Sequence, residues 1–452
     1  MDQMQLCYDI SPLGRIPHLP PLVIGHRGAA YNLPEHTLES YQLAYELGAN
    51  YVEPDFVPTK DGRLVAVHSI DLNITTNVAS VFQNRSRTIV RHGLPWTGYF
   101  SFDFTLDEIK SLRVRQGIED GSRSEEFDWL FSIPTIQEIA SLIYDWNTNT
   151  RLRLGRTRPY EAVGMYAELK KPKLIQRVTG MVMEELFVKE LQSVPSKVWD
   201  MLFPQSICNV NSTIEQAALP PLVVHCFERN PLRSLRTKFL ADEEGLFSGR
   251  SAPPLVLLLS RVRCSVFRAW NSVHKYADGV NPDMACLLDS TVFNGVGTYK
   301  KGTAFMREAH KRNMFVHAWT ERAELEYVVD SFPNAKAELT ALFCDLGVDG
   351  VFAENVDIAV RAANGCGHQK LSAPVHSTKS KKHGSRFGAQ VVHIGIFVFA
   401  FIVGRWTQRS FWVCCKSEKN ESSSECSHLS TGTSSAKSYR STECGAEASG
   451  VS

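Results

Sequence analysis

The chain predicts an α/β fold: a (β/α)8 TIM barrel with an insertion after the second strand's hairpin arm, followed by a C-terminal apolar helix and tail. Three observations carry that expectation. Eight short apolar runs recur between residues 21 and 353, with helical patterns or loops between them. Alternating strands and helices pair in parallel with the helices outside, and eight units close a barrel. Charged residues and histidines also gather at the ends of those runs, where barrels of this kind build their sites.

Pro21 to Gly25 is the first run, and His36 to Leu47 follows as an amphipathic helix. Tyr51 to Val57 is the second strand. Thr59-Lys60-Asp61-Gly62 is a turn signal, and Leu64 to His68 then alternates as a hairpin arm. The stretch from about 70 to 160 is too long for one crossover. It holds Trp96-Thr97-Gly98-Tyr99-Phe100, a helix around Leu106 to Leu112, and a helix Ile136 to Tyr144 behind Ile133-Pro134-Thr135. Residues 70–130 are expected to form an insertion over the barrel mouth, with a lid or specificity role. The remaining strands are Met165 to Leu169, Leu222 to Phe227, Leu255 to Leu259, Tyr276 to Val280, Met314 to Trp319 and Asp349 to Ala353. A short apolar run reads as strand or buried helix alike, so the count leans on the alternation.

The 452 residues suffice for one large domain with appendages. Expected segments are an N-terminal extension (1–20), the barrel (21–364), a basic linker (365–387), a transmembrane helix (388–406) and a Ser-rich disordered tail (407–452). Net charge is +1, which offers no global attraction to nucleic acid. The eleven cysteines are odd in number, scattered and without a Cys-x-x-Cys pair. They read as neither a disulfide framework nor a zinc site, and Cys226 reads as a buried thiol in a reducing compartment. Residues 1–20 show no secretory signal, so Asn73-Ile74-Thr75, Asn84-Arg85-Ser86 and Asn211-Ser212-Thr213 read as chance glycosylation triplets.

Residues 388–404 are almost wholly apolar, at the short limit for crossing a bilayer, and Arg405-Trp406 supply an interface anchor. A buried or re-entrant helix is the other reading. Basic residues on both sides leave orientation open, with a cytosolic catalytic domain expected. Cys414 and Cys415 are palmitoylation candidates if they face the cytosol.

The densest chemistry lies between Val23 and His68. Glu53 and Asp55 are two apart on a strand and share a face. Two inward carboxylates are costly unless paired or metal-bound; the alternative is an exposed pair on an edge strand. Glu168 and Lys170 repeat the spacing in Tyr166-Ala167-Glu168-Leu169-Lys170. Glu168 can complete a three-carboxylate site, and such hard oxygen donors favour Mg²⁺ or Ca²⁺ over zinc. Lys170 either neutralises a substrate phosphate or pairs with a carboxylate. His26 stands at a strand-to-loop junction and His68 ends the hairpin arm. Two imidazoles across a phosphodiester divide the work of accepting and donating protons. Arg27 suits bidentate phosphate contact. Glu35 is a further polar contributor, or simply helix-end electrostatics. Trp319 either packs against a glycerol moiety or belongs to ordinary barrel packing.

In order, His26-Arg27-Gly28, Pro34-Glu35-His36-Thr37, Glu53-Pro54-Asp55, Thr59-Lys60-Asp61-Gly62, His68, Glu168-Leu169-Lys170, Tyr276-Ala277-Asp278-Gly279, His317-Ala318-Trp319-Thr320 and Gly347-Val348-Asp349-Gly350-Val351-Phe352 resemble the glycerophosphodiester phosphodiesterase family, nearest its periplasmic and plant branch. The resemblance runs from about Pro21 to Asn364. It implies a (β/α)8 barrel that hydrolyses glycerophosphodiesters to sn-glycerol 3-phosphate and an alcohol. It also implies metal ligands at Glu53, Asp55 and Glu168, with Glu35 in some members. The acid/base pair falls on His26 and His68, and phosphate contacts on Arg27 and Lys170. Ser69 stands where the family usually has an acidic residue, and Ala353-Glu354-Asn355 replaces a Thr-Asp before Pro. Lysophospholipase D activity on membrane lysolipids and a non-catalytic head-group-binding barrel are the alternative functions.

Overall fold

A computed structural model describes residues 13–14, 19–118, 121–158, 161–204, 219–241, 247, 250–265, 269–288 and 299–367. The apolar segment at 388–406 and the tail lie outside them. Among the described residues, no helix is long and apolar enough to cross a membrane.

The strands in chain order are β1 (Leu22–His26), β2 (Tyr51–Glu53), β3 (Asp55–Pro58), β4 (Leu64–Ala66), β5 (Arg87–Arg91), β6 (Leu94–Gly98), β7 (Gly164–Leu169), β8 (Leu222–Cys226), β9 (Leu255–Leu259), β10 (Gly279–Pro282), β11 (Phe315–Glu321) and β12 (Gly350–Ala353). Seven consecutive parallel pairings join β2-β1-β12-β11-β10-β9-β8-β7, and β2 then pairs with β7. That last pairing closes the barrel at eight strands, with β2 and β3 serving as one staggered strand. Pro54 separates them because proline offers no N–H to the ladder. Its carbonyl still accepts from the Glu168 amide at 2.9 Å.

Helices cover the outside. Thr37 caps the helix Leu38–Glu46, its hydroxyl accepting from the Ser40 amide. Thr135 forms a capping box with Glu138 at the start of Ile136–Asp145. Inside the barrel, Leu22, Ile24, Tyr51, Tyr166, Val223, Val256, Phe315 and Phe352 form a separate apolar cluster. Bulky inward residues fill such a barrel as a packed core rather than a pore.

Three expectations need correction. The sixth strand is shifted along the chain: the run Tyr276 to Val280 overlaps it only at its end, since β10 begins at Gly279, where an added Cβ would run into the Phe315 ring. The insertion also contains a hairpin, β5–β6, that the composition did not suggest. Its two-residue loop, His92-Gly93, has positive φ at both positions (51° and 79°), the twist that suits tight hairpins. Finally, four of the five cysteines among the described residues are not free thiols. Cys264–Cys286 and Cys344–Cys366 form disulfides, with Cα atoms 5.8 and 5.3 Å apart. Each pair is 22 residues apart in sequence, and only the wound chain brings its members together. Cys226 is a buried free thiol, as expected.

Candidate active site

Strand register assembles the site. His26 lies opposite Glu53, Asp55 opposite Glu168, and Glu168 opposite His225. His26, Glu53, Glu168 and His225 sit at the C-terminal ends of β1, β2, β7 and β8, and Asp55 opens β3 two residues beyond Glu53, at the same level of the barrel. Glu53, Asp55, Glu168, Lys170 and His225 are all buried. Arg27, Gly28 and His36 take positive φ (58°, 97° and 56°), so the β1 loop turns sharply back across the strand ends.

The contacts are dense. Lys170 Nζ is 3.0 Å from both Asp55 Oδ1 and Glu168 Oε2. Asp55 Oδ2 stands 3.0 Å from His36 Nε2, and His36 Nδ1 is 2.9 Å from the Tyr41 hydroxyl. Arg27 donates from Nη1 to Glu35 Oε2 at 2.7 Å, and its backbone N–H donates to Glu53 Oε2 at 3.1 Å. Glu53 Oε1 is 3.4 Å from His225 Nε2. Glu53, Glu168 and His225 each present a ligand atom, all within 4.8 Å of one another.

The charges do not balance within this cluster. Burial, then neighbouring Asp55 and Glu168, push the Glu53 carboxyl well above its usual range. Burial lifts Glu168 to about 8 against the opposing pull of Lys170. Burial also acts to raise Asp55, but Lys170 and His36 outweigh it and hold that carboxyl well below its usual value. A divalent cation is the group that lets such carboxylates ionise together. The donor set fits one, with the carboxylates of Glu53, Asp55 and Glu168 converging and His225 Nε2 lacking a hydrogen-bond partner.

Two histidines neighbour the acids. His26 Nδ1 is 2.8 Å from Glu354 Oε1, which fixes the ring and leaves Nε2 for chemistry. Burial, with the Arg27 cation beside it, lowers His26 to about 4. Burial, then Arg27 and Lys170, hold His68 well below its usual value. Both imidazoles are therefore neutral at neutral pH. Glu354 is itself gripped by Arg322 Nε at 2.9 Å and Arg123 Nη2 at 2.5 Å. Arg123 comes from the insertion, donates also to the Ala30 carbonyl at 3.1 Å, and pairs with Glu324 at 2.7 Å. Gln116 of the same segment donates to Ala30 at 3.2 Å. The insertion thus leans on the first βα loop and on the residue that orients His26.

The structure brings His26, Arg27, Glu35, Glu53, Asp55, His68, Glu168 and Lys170 into one neighbourhood. Glu35 pairs with Arg27 rather than joining the ligand cluster. Trp319 stands at the mouth, its indole N–H donating to the Asn281 carbonyl at 2.8 Å and its ring edge-on to Phe227. Three residues escaped the sequence reading. His36 lay inside a motif already singled out. His225 carried a weak signal, a polar residue at an inward position of an apolar strand. Glu354 was noted only as a departure from a pattern, yet it buttresses His26.

The model of the glycerophosphoryl diester phosphodiesterase family matches residues 26–203 and 259–358. The chain is 26% identical over 348 residues to the Arabidopsis thaliana glycerophosphodiester phosphodiesterase GDPD6, covering 74% of this chain and 83% of that protein. It is 27% identical over 387 residues to the glycerophosphodiester phosphodiesterase of Haemophilus influenzae, covering 76% and 90%. The fold is shared with a crystal structure from Silicibacter pomeroyi DSS-3 assigned as a glycerophosphoryl diester phosphodiesterase. The TM-score is 0.52 at 18% identity, over 79% of this chain and 98% of that one.

Proposed function

This chain belongs to the glycerophosphoryl diester phosphodiesterase family and is a hydrolase of glycerophosphodiesters, and from that premise we propose how its residues divide the reaction. The products are sn-glycerol 3-phosphate and an alcohol. Glu53, Asp55 and Glu168 hold a divalent cation; carboxylates alone suit Mg²⁺ or Ca²⁺. When bound, that ion neutralises phosphoryl oxygens and lowers the pKa of the attacking oxygen.

Arg27 and Lys170 bind the anionic phosphate, one in a fork and one as a point charge. His26, held by Glu354 and neutral at neutral pH, accepts the proton of the attacking oxygen. That oxygen belongs to water or to the substrate's glycerol hydroxyl, the second giving a cyclic phosphate first. His68 gains proton affinity from the phosphodiester anion beside it and donates to the leaving alkoxide. Trp319 packs against the glycerol moiety. The observation that carries this reading is the convergence of the three buried carboxylates of Glu53, Asp55 and Glu168. Protein stripped with a chelator and reloaded with Mg²⁺, Ca²⁺ or Mn²⁺ is expected to regain release of glycerol 3-phosphate from glycerophosphocholine. Glu53→Ala or His68→Ala should lower that rate by roughly 10²–10⁴ or more. Undiminished turnover by purified Glu53→Ala would overturn the assignment.

The compartment follows different evidence. The two disulfides support a barrel facing an oxidising space in place of the cytosol expected from the sequence. Asn73 and Asn84, which head two glycosylation triplets, are exposed. Tethering through 388–406 rests on sequence pattern alone. Cell-expressed protein should resist thiol alkylation at these four cysteines until reduced, and should shift on glycosidase treatment. Four freely alkylated thiols would restore the cytosolic reading.

A further inference from the structure

The carboxylate site leaves one buried group unused. His225 projects from β8 into the barrel among the acids and is 2% exposed. Its Nε2 has no hydrogen-bond partner and lies 3.4 Å from Glu53 Oε1. The ring is held from behind on three sides. It stacks on Phe352, with centroids 5.5 Å apart and planes at 7°, and meets Tyr166 edge-on at 4.8 Å. Its Nδ1 is 3.3 Å from the Asn281 amide, and that amide is fixed by the Tyr166 hydroxyl at 3.2–3.3 Å. Turning the Asn281 amide over lets Oδ1 accept from Nδ1–H, which leaves the Nε2 lone pair bare. An imidazole so anchored, with its second nitrogen bonded to a polar partner, is how proteins present a metal ligand.

The spacing is close to what one ion needs. Donor atoms about 2.1 Å from one ion stand roughly 3–4.2 Å apart. The atoms offered by Glu53, Glu168 and His225 lie within 4.8 Å of one another. We propose that His225 Nε2 binds the cation as a further ligand beside the carboxylates. The site is then a mixed nitrogen–oxygen site, which selects a first-row transition cation such as Mn²⁺ over Ca²⁺ and Mg²⁺. Hard alkaline-earth ions gain little from imidazole, whereas first-row transition ions bind it well. The inference rests on the metal-dependent hydrolase reading above and specifies its ion.

The test uses the full chain, stripped of metal. Calorimetry with Mn²⁺ and with Ca²⁺ gives the two affinities. Pulsed electron paramagnetic resonance on bound Mn²⁺ detects ¹⁴N coupling from a coordinated imidazole. Mn²⁺ is expected to bind at least about tenfold more tightly than Ca²⁺ and to show that coupling. In His225→Gln the coupling disappears and Mn²⁺ binding weakens more than about tenfold, while Ca²⁺ affinity moves less than about threefold. Asn281→Ala keeps the coupling with Mn²⁺ binding weakened about tenfold, as loss of an orienting partner predicts. Mn²⁺ binding without ¹⁴N coupling in the unsubstituted chain overturns the His225 assignment and leaves an all-oxygen metal site intact. That measurement decides the matter even if the variants fail to fold. Failure to bind any divalent cation overturns the metal-dependent hydrolase reading as well.

Discussion

Two residues along the same strand, the barrel interior changes character. Ile24, Tyr166, Val223 and Phe352 form part of its apolar layer; His26, Glu168, His225 and Glu354 follow each of them by two positions. A strand's period of two puts both sets on the inward face, and the backbone beneath them is continuous. The lower layer stabilises the barrel by removing apolar surface from water, at about 25 cal/mol per Å². The upper layer does the reverse. It holds the Glu53 and Glu168 carboxyls above their usual range and His26 and His225 below theirs, each a sign that burial opposes the charge, while at Glu354 the His26 hydrogen bond and the nearby Arg322 and Arg123 outweigh burial. The contrast teaches that the fold is secured by one layer so that the next can remain electrostatically unfinished.

Substitutions sharpen that comparison. Phe315→Ala, in the lower layer, should cost about 3–5 kcal/mol in unfolding free energy measured by denaturant titration. A loss below 1 kcal/mol would break the claim that this layer carries the stability. Glu354→Gln, in the upper layer, should lower kcat by roughly 10–100-fold with little change in KM, because His26 loses its anionic support. The same change should free the insertion around Arg123, seen as faster hydrogen exchange across residues 115–128. An unchanged kcat would mean that Glu354 only ties down the insertion.

His317 provides the smallest effect and packs against the lower layer. Its Nε2 is 3.0 Å from the Leu13 carbonyl and its Nδ1 3.2 Å from the Tyr166 hydroxyl. Burial lowers it to about 4 from the ordinary 6.5. The unfolded chain therefore takes up the proton first as pH falls. The contribution of His317 is complete above pH 6.5 and declines toward pH 4, by ~1.4 kcal/mol per pH unit at most. The stability difference between the unsubstituted protein and His317→Gln should narrow over that interval, and a constant difference would exclude the coupling.

Much of the site was legible because its residues are close in sequence. Glu53 and Asp55, like Glu168 and Lys170, share a face by strand periodicity, and His26, Arg27 and Glu35 lie on one loop. Eight apolar runs were enough to count the barrel, although the run at Tyr276 lay three residues ahead of its strand. The link from His26 to Glu354 spans 328 residues, and no local pattern encodes it. Arg123 reaches Glu354 across 231 residues from an insertion whose composition suggested only a lid. The disulfides were misjudged for the same reason, since spacing by itself says nothing about Cα proximity.

By itself, the amino-acid order determined how many barrel strands exist, which way their side chains alternate and which residues are the candidate acids, bases and phosphate-binding groups. Those properties depend on periodicity and side-chain chemistry, both local. Tertiary structure alone decided that His225 lies beside Glu53 and Glu168, that Glu354 buttresses His26, and that four cysteines pair. Each depends on the stagger between strands or helices far apart in the chain. Closure of the barrel fixes that stagger, and no short stretch of sequence contains it.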